Sequence, residues 1–221
     1  LISTKDLLFR RTSEKGITSK EIFKIQSNYN VLNKSLNNHR VLKKSFFRKS
    51  NIAVIVACRM KSTRLKEKAI IPINGISSIE RCLQNSLKIS KVSKVILATS
   101  NIKEDKLLKN YTLSGKVDFF TGDPEDVILR YLDVCKKYNI DTVIRVTGDM
   151  PVVSPEIANY LLDSHFKTGA EYSFAKEYTD GSDAEIYDVN VFKKIIEYFG
   201  RAEYSEYMKF YMINNKNIFN T

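Results

Sequence analysis

Cysteine and histidine are scarce in this chain of 221 residues, and their scarcity excludes several kinds of site. The three cysteines, Cys58, Cys82 and Cys135, are widely spaced and form no CxxC pair. This spacing argues against a disulfide framework and against a zinc site. The two histidines, His39 and His165, lie far apart in sequence, so nothing favours a histidine metal site or a Ser-His-Asp triad. Free cysteines fit a reducing compartment, and we expect a cytoplasmic protein.

Long apolar runs are missing as well. No stretch of 18 consecutive apolar residues occurs, and the opening LISTKDLLFRR lacks the apolar core of a signal peptide, so we expect no membrane partner. The chain begins with Leu rather than Met, and we expect it to be part of a longer polypeptide. Neither GxxxxGK[ST] nor GxGxxG follows the first apolar segment, which removes the two commonest nucleotide motifs.

Positive charge is concentrated near the beginning of the chain. Residues 1–50 carry 12 Lys and Arg against 3 Asp and Glu, a net charge of +9, whereas residues 51–221 carry 24 against 22, a net charge of +2. The sequence therefore predicts a basic N-terminal segment, 1–50, before a domain at 51–221. A nucleic-acid-binding arm is a competing interpretation of this charge, but no DNA- or RNA-binding motif accompanies it. We expect no nucleic acid partner.

From residue 51 onward, apolar runs of strand length alternate with segments of helical period. Nearly continuous β-branched and apolar residues predict strands that are covered on both faces, at 52–58, 94–100, 117–122 and 141–148. The intervening segments predict helices near 77–90, 103–113, 124–138 and 155–168. A less regular region follows, with a predicted strand at 171–177 and a helix at 189–199. Repeated strand–helix units predict an α/β fold with a mostly parallel sheet and helices on both faces.

Two of these helices have clear start signals. Asp123 precedes Pro124, Glu125 and a further acid, and Ser154 precedes a proline and a glutamate. A capping side chain, a proline in the first turn and acids beside it are typical of helix N-termini. The sequence predicts Asp123 and Ser154 as the N-caps.

The stretch ACRMKSTRLKEK, from Ala57 to Lys68, follows the first predicted strand and is rich in cations. Ligands of open α/β sheets bind beyond the carboxyl ends of the strands. Arg59, Arg64 and Lys68 could surround a triphosphate there, and the Ser62 and Thr63 hydroxyls add uncharged donors. A solvated basic loop is the alternative interpretation.

The stretch RVTGDMP, residues 145–151, places Asp149 just beyond another predicted strand. A carboxylate at this position could hold Mg²⁺, which proteins commonly bind through one or two carboxylates together with substrate phosphates. An aspartate that stabilises a turn is the alternative. Cys58, within the first strand, is more readily explained as a core residue than as a nucleophile.

The stretch DGSDAEIYD, residues 180–188, contains a further pair of acids. Asp183 and Glu185 alternate along an extended segment, which predicts that they share one face. They could bind sugar hydroxyls or assist a metal. An acidic surface turn is the alternative.

Taken in order, five motifs resemble the cytidylyltransferase family that activates nonulosonic acids, in particular its spore-coat polysaccharide and acylneuraminate branch. They are ACRMKSTRLKEKAIIPING, VILATS, GDPEDVILRY, RVTGDMPVVSPEI and DGSDAEIY, and the likeness covers about residues 52–219. The resemblance implies a three-layer Rossmann-like nucleotide-diphospho-sugar transferase fold and a homodimer. It further implies Mg²⁺-dependent transfer of CMP from CTP to an acidic nine-carbon sugar, with release of pyrophosphate.

The resemblance also implies roles for individual residues. Phosphate binding falls on Arg59, Arg64 and Lys68, metal binding falls on Asp149, and catalysis falls on Arg59, Lys68 and Asp149. The remaining predicted nucleotide-binding residues are Ala57, Ser62, Thr63, Ala98, Thr99 and Ser100. Another sugar-nucleotide transferase or glycosyltransferase of the same fold, and a nucleotide- or sugar-binding module without catalysis, remain as alternatives.

Two departures from the family pattern bear on these expectations. Where the family reads Gly-Ser-x-Arg-Leu-Pro-Gly-Lys, this chain has Lys61 and Glu67 at the two glycine positions. A further metal-binding acid of the family falls beyond NNKNIFNT, so we expect residues 51–221 to lack the C-terminal part of the family's domain.

The N-terminal segment has a resemblance of its own. DLLFRRTSEKGITSKEI, residues 6–22, is similar to part of the antifreeze-like (SAF) domain that closes sialic acid synthases. The likeness covers about 45 residues, with Arg11-Thr12 where the domain has arginine and proline. It implies that residues 1–50 are a partial SAF domain and linker, in a parent chain that fuses a synthase to the transferase.

Overall fold

A computed structural model describes residues 50–60, 67–176, 179–201 and 204–221. The predicted SAF remnant lies outside the described residues. The other predicted features fall largely within them, apart from the middle of the cationic loop.

The domain is built on a six-stranded sheet with the strand order β5-β4-β1-β6-β8-β7. β5, β4, β1 and β6 are parallel, whereas β8 runs antiparallel to both β6 and β7. The sheet is therefore mostly parallel, as predicted. A separate hairpin joins two short strands. The bounds of the strands are β1 Ile52–Ala57, β2 Pro72–Ile73, β3 Ile76–Ser77, β4 Lys94–Ser100, β5 Asp118–Gly122, β6 Thr142–Thr147, β7 Tyr172–Phe174 and β8 Glu185–Asp188.

Helices cover both faces of this sheet and make the fold a three-layer α/β structure. The α-helices are α1 Ser78–Ser86, α2 Val127–Tyr138, α3 Pro155–Thr168, α4 Val189–Phe199 and α5 Lys209–Ile213. Three short 3-10 helices lie at Lys68–Ile70, Asp105–Tyr111 and Ser205–Tyr207.

Two hydrophobic clusters lie on opposite faces of the central strands. Val54 and Val56 of β1 pack with α1 and α3 in one cluster, while Ala53 and Ile55 pack with α2 and α4 in the other. Residues that alternate along a strand point to opposite faces. Since both faces are covered, β1 is apolar throughout, which is why its sequence shows a continuous apolar run.

The structure corrects two of the predicted elements. The segment predicted as a helix at 103–113 is a 3-10 helix, Asp105–Tyr111. The N-cap of α2 is Asp126, whose side chain accepts a hydrogen bond from the Leu129 amide, and not Asp123. β8, Glu185–Asp188, falls on the segment that the sequence predicts as extended. The predicted Ser154 cap of α3 is confirmed by its bond from the Ile157 amide.

None of the helices within the described ranges combines the length and the apolar character that crossing a bilayer requires.

Candidate active site

The candidate site lies where the parallel strands end. Ala57 of β1 is paired with Thr147 of β6 and with Ala98 of β4, so the carboxyl ends of these three strands share one edge of the sheet. Arg59 and Asp149 each follow this pairing by two residues. The edge thus brings together segments that are 90 residues apart along the chain, as the sequence predicted for an open α/β sheet.

Gly148 fixes the backbone that carries Asp149. Its amide donates to the Ala57 carbonyl at 2.8 Å, which continues the β6 to β1 pairing by one residue. A Cβ at this position would lie 2.6 Å from Cys58 Sγ and 2.9 Å from Ile79 Cδ1. Only glycine leaves room for this close approach, so Cys58 is a packing residue under the site, in agreement with its interpretation as core.

Lys68 and Asp149 form an ion pair at the site. Lys68 Nζ lies 3.0 Å from Asp149 Oδ2, and both side chains are about half exposed. Burial acts to raise the pKa of Asp149, but hydrogen bonds from Lys68 and Thr147 outweigh it, so the pKa lies below its usual value. Asp149 is therefore ionised at neutral pH and is available to a cation.

Asp149 fits the requirements of a magnesium ligand without a prebuilt cage. Among the described residues, no group of three or more His, Cys, Asp or Glu side chains is arranged to hold a metal ion. Mg²⁺ keeps several waters and is usually bound through one or two carboxylates plus substrate phosphates. A single half-exposed carboxylate beside a lysine suits that manner of binding.

Arg59 is engaged on both sides of its guanidinium. One Nη donates to the main-chain carbonyl of Pro124 at 3.3 Å, and the other forms an ion pair with the Glu206 carboxylate. Arg130 lies behind this contact, buried, with its Nε and Nη2 on the Asp123 carbonyl at 3.0 and 2.7 Å. Burial lowers the pKa of Arg130, and the nearby positive charge of Arg59 adds to the effect.

The loop between Arg59 and Lys68 is described at its two ends. Ser62, Thr63 and Arg64 lie outside the described residues, so their predicted phosphate-binding roles stay predictions. Glu67, at one of the family's glycine positions, has φ 53° and ψ 29°, in the left-handed region. A non-glycine residue rarely adopts this conformation, which costs roughly 1–2 kcal/mol.

The predicted nucleotide-binding residues on β4 lie beneath the surface. Ala98, Thr99 and Ser100 are buried, and Ala57 is partly buried beside them. The Ser100 hydroxyl donates to Asp105 Oδ2 at 2.5 Å, while the buried Thr99 hydroxyl has no hydrogen-bond partner among the described residues. These positions form the floor at the end of β4, and their contact with a nucleoside stays a prediction.

Asp105 is a site residue that sequence reasoning missed. Its buried carboxylate accepts from the Met60 amide at 2.7 Å through one oxygen and from Ser100 through the other. It thereby ties the start of the cationic loop to the end of β4. In the sequence it looks like an ordinary acid near the start of a helical segment, so no local signal marks it. Arg130 was missed for the same reason, because a mid-helix arginine usually lies on a solvated face.

The two acids of the third motif have different surroundings. Asp183 is partly exposed just before β8. Glu185, within β8, is buried and accepts from Arg145 at 2.5 Å and from the Tyr172 and Tyr187 hydroxyls at 2.9 Å each. Its carboxylate is thus occupied by the core, and we retain only Asp183 as a candidate for sugar binding.

A separate surface cavity of about 360 Å³ lies beside the edge strand β5. None of the candidate site residues lines it. Its lining residues are Lys106, Lys109, Phe119, Phe120, Thr121 and Lys137.

A mostly parallel sheet between two helical layers, with Arg59, Lys68 and Asp149 at its carboxyl edge, matches the Rossmann-like fold class of the nucleotidyltransferases. A sequence model described as Cytidylyltransferase matches residues 53–220. The chain therefore belongs to the cytidylyltransferase family and is an enzyme of that class.

Individual relatives agree with this assignment. The spore coat polysaccharide biosynthesis protein SpsF of Bacillus subtilis is 26% identical over 171 residues, which cover 75% of this chain and 71% of that protein. A 3-deoxy-manno-octulosonate cytidylyltransferase of Chlorobium chlorochromatii is 25% identical over 156 residues, which cover 70% of this chain and 62% of that protein. Among solved structures, a cytidylyltransferase from Leptospira borgpetersenii is 28% identical with a TM-score of 0.71, and the match covers 77% of this chain and 74% of that one.

The resemblance to cytidylyltransferases is thus confirmed, together with the predicted fold class. The narrower resemblance to enzymes of nine-carbon sugar acids remains a prediction.

Proposed function

We propose that this domain transfers CMP from CTP to an acidic sugar, with Mg²⁺ bound at Asp149 and pyrophosphate as the second product. One observation carries the proposal. Lys68 and Asp149, 81 residues apart in sequence, meet at 3.0 Å on the sheet edge where this fold class binds ligands. One cation for phosphate and one ionised carboxylate for a metal are the two groups that nucleotidyl transfer from a triphosphate needs.

The reaction follows from these charges. A hydroxyl oxygen of the sugar attacks the α-phosphorus of CTP in line with the departing pyrophosphate, and the hydroxyl proton passes to solvent. The new oxygen–phosphorus bond forms as the bond to the bridging oxygen breaks. Arg59, Lys68 and Arg64 hold the triphosphate and offset the charge that grows on pyrophosphate. Mg²⁺, when bound, supplies Lewis-acid stabilisation of the phosphoryl oxygens.

Lys68 and Asp149 exchange partners when substrate binds. In the structure each neutralises the other. With substrate and Mg²⁺ bound, Lys68 would pair with phosphate and Asp149 would hold the cation. The ion pair orients both side chains, and breaking it costs little, because exposed pairs of this kind are worth only about 0–1 kcal/mol.

The identity of the acidic sugar is supported by fewer observations than the transfer of CMP. One relative is named for an octulosonate, an eight-carbon sugar acid, while the sequence motifs resemble enzymes of nine-carbon acids. Asp183 lies near the same edge and suits hydrogen bonds to sugar hydroxyls. We propose a nine-carbon acid as the substrate, with an eight-carbon acid as the competing choice.

Pyrophosphate release identifies the reaction. We would incubate the chain with Mg²⁺ and each of CTP, UTP, ATP and GTP, across a panel of eight- and nine-carbon sugar acids. Release with CTP and one nine-carbon acid is the expected result. CTP binding without release under any condition would favour a non-catalytic binding module, and release with another nucleotide would favour another transferase of the same fold.

An Asp149→Asn variant tests the role of the carboxylate. Loss of several kcal/mol of transition-state stabilisation corresponds to a fall in kcat of roughly 10²–10³. Asp163→Asn is a matched control, because Asp163 is also paired with a lysine and both aspartate side chains are 49% exposed. Unchanged pyrophosphate release by Asp149→Asn would contradict the proposed mechanism.

A further inference from the structure

Glu206 places a negative charge beside Arg59, a residue that the proposed reaction needs for phosphate binding. The Glu206 carboxylate forms an ion pair with the Arg59 guanidinium, although the two residues are 147 positions apart. Of the two cations that the structure describes in the candidate site, Lys68 is paired with Asp149, the proposed metal ligand. Arg59 is paired with Glu206, a carboxylate to which the proposed reaction assigns no role.

The Arg59–Glu206 pair is held in place by residues 124–127, at the start of α2. Arg59 donates to the Pro124 carbonyl at 3.3 Å. Ser205, the neighbour of Glu206, accepts from the Val127 amide at 2.8 Å and donates to the Glu125 carbonyl at 3.2 Å.

Both partners of the pair are thus anchored to residues 124–127, at the start of α2. Ser205 is buried, so the position of the 3-10 helix Ser205–Tyr207 is fixed by packing as well as by hydrogen bonds. The contact is therefore a built feature of the fold, unlike a chance meeting of two long surface side chains.

We infer that Glu206 is a placeholder for the triphosphate. It holds Arg59 in the unliganded enzyme, and phosphate oxygens must displace it before Arg59 can bind them. This inference rests on the proposed function, because it takes Arg59 as a phosphate ligand. Glu206 therefore lowers the affinity of the site for nucleotide and for pyrophosphate.

Two physical effects make Glu206 weaken the binding of nucleotide and of pyrophosphate. The guanidinium must give up an ion pair when phosphate arrives, and the carboxylate left beside it repels the anionic ligand. Both side chains remain partly exposed, Arg59 at 33% and Glu206 at 43%, so water and salt screen the effect. We therefore expect a modest change, a factor of about two to five in dissociation constant, for removal of the charge.

Isothermal titration calorimetry of the full chain tests the inference, with CTP and Mg²⁺ in one series and inorganic pyrophosphate and Mg²⁺ in another. The test variant is Glu206→Gln, which keeps the size of the side chain and removes its charge. The matched control is Asp133→Asn, which removes a negative charge from an exposed position on α2. Each protein is measured at low and at high salt.

The expected result is tighter binding of both ligands by Glu206→Gln, unchanged binding by Asp133→Asn, and a smaller difference at high salt. Equal or weaker binding by Glu206→Gln would overturn the inference while leaving the nucleotide site intact. Equal tightening by both variants would also overturn it, since general repulsion would then explain the effect. If no protein bound CTP or pyrophosphate, the proposed function would fall, and this inference with it.

Discussion

At the scale of single residues, Glu67 carries two disadvantages at one position. Its φ of 53° lies in the left-handed region, where the family pattern has glycine. Its carboxylate also adds a negative charge next to Lys68, in a loop that is otherwise suited to anions. The side chain thus opposes both the backbone conformation and the ligand.

Replacement of Glu67 by glycine removes both the charge and the backbone strain. Relief of left-handed strain gains roughly 1–2 kcal/mol, and the greater freedom of glycine in the unfolded chain gives back roughly 0.4–1 kcal/mol. We expect Glu67→Gly to raise the free energy of unfolding by about 0.5–1 kcal/mol, measured by urea denaturation.

Glu67→Ala is the matched comparison, because it removes the same charge but keeps a Cβ in the left-handed region. Both variants should bind CTP more tightly than the wild type, and only the glycine variant should gain stability. An equal gain in stability with alanine would show that the charge, and not the backbone, was the source of the cost.

At the scale of elements, a buried ion pair joins β8 to the parallel part of the sheet. Arg145 of β6 and Glu185 of β8 are register partners, and their side chains pair at 2.5 Å. Burial acts to lower the pKa of Arg145, but the adjacent Glu185 charge outweighs it and raises the pKa above its usual value. Burial acts to raise the pKa of Glu185, but the adjacent Arg145 charge outweighs burial and holds the pKa below its usual value.

Removal of one partner should therefore be costly. Glu185→Gln leaves the Arg145 charge buried without a counter-charge, which typically costs about 3–5 kcal/mol. Asp163→Asn breaks the exposed pair with Lys91 and should leave the free energy of unfolding nearly unchanged, because solvent screens the pair. Urea denaturation of the two variants checks the contrast. A loss below about 1 kcal/mol for Glu185→Gln would mean that β8 does not depend on the pair.

At the scale of the whole molecule, His165 links global stability to pH. It is buried on α3, with Nδ1 2.9 Å from the Ser173 hydroxyl of β7. Burial lowers its pKa from 6.5 to about 4. Between these two values the unfolded chain binds a proton that the folded chain does not. The free energy of unfolding therefore increases as the pH rises from about 4 to 6.5, and it decreases again as the pH falls through the same interval.

We expect the wild-type protein to lose roughly 2 kcal/mol through this group between pH 7 and pH 5. His165→Gln removes the titrating group, so its unfolding free energy should depend less on pH over the same interval, whatever its absolute stability. Urea denaturation at several pH values gives both slopes. Parallel slopes for the two proteins would mean that His165 is protonated in the folded state as readily as in the unfolded chain.

The sequence by itself determined the order of the parallel strands and of the helical segments between them, the two-sided covering of the sheet, and the edge on which Arg59, Lys68 and Asp149 lie. These features follow from local patterns. A continuous apolar run signals a strand covered on both faces, and parallel strands joined by helices place their carboxyl ends on one side. The residues directly after those strands therefore had to gather there.

Only the tertiary structure decided which side chains those residues meet. Glu206 reaches Arg59 because the chain returns across the start of α2, and Asp105 bridges β4 and the cationic loop because its helix packs against both. Glu185 is buried because strand register sets it opposite Arg145. Hydrophobic periodicity repeats over a few residues, whereas these partners are set by packing between distant elements, so no local pattern could have identified them.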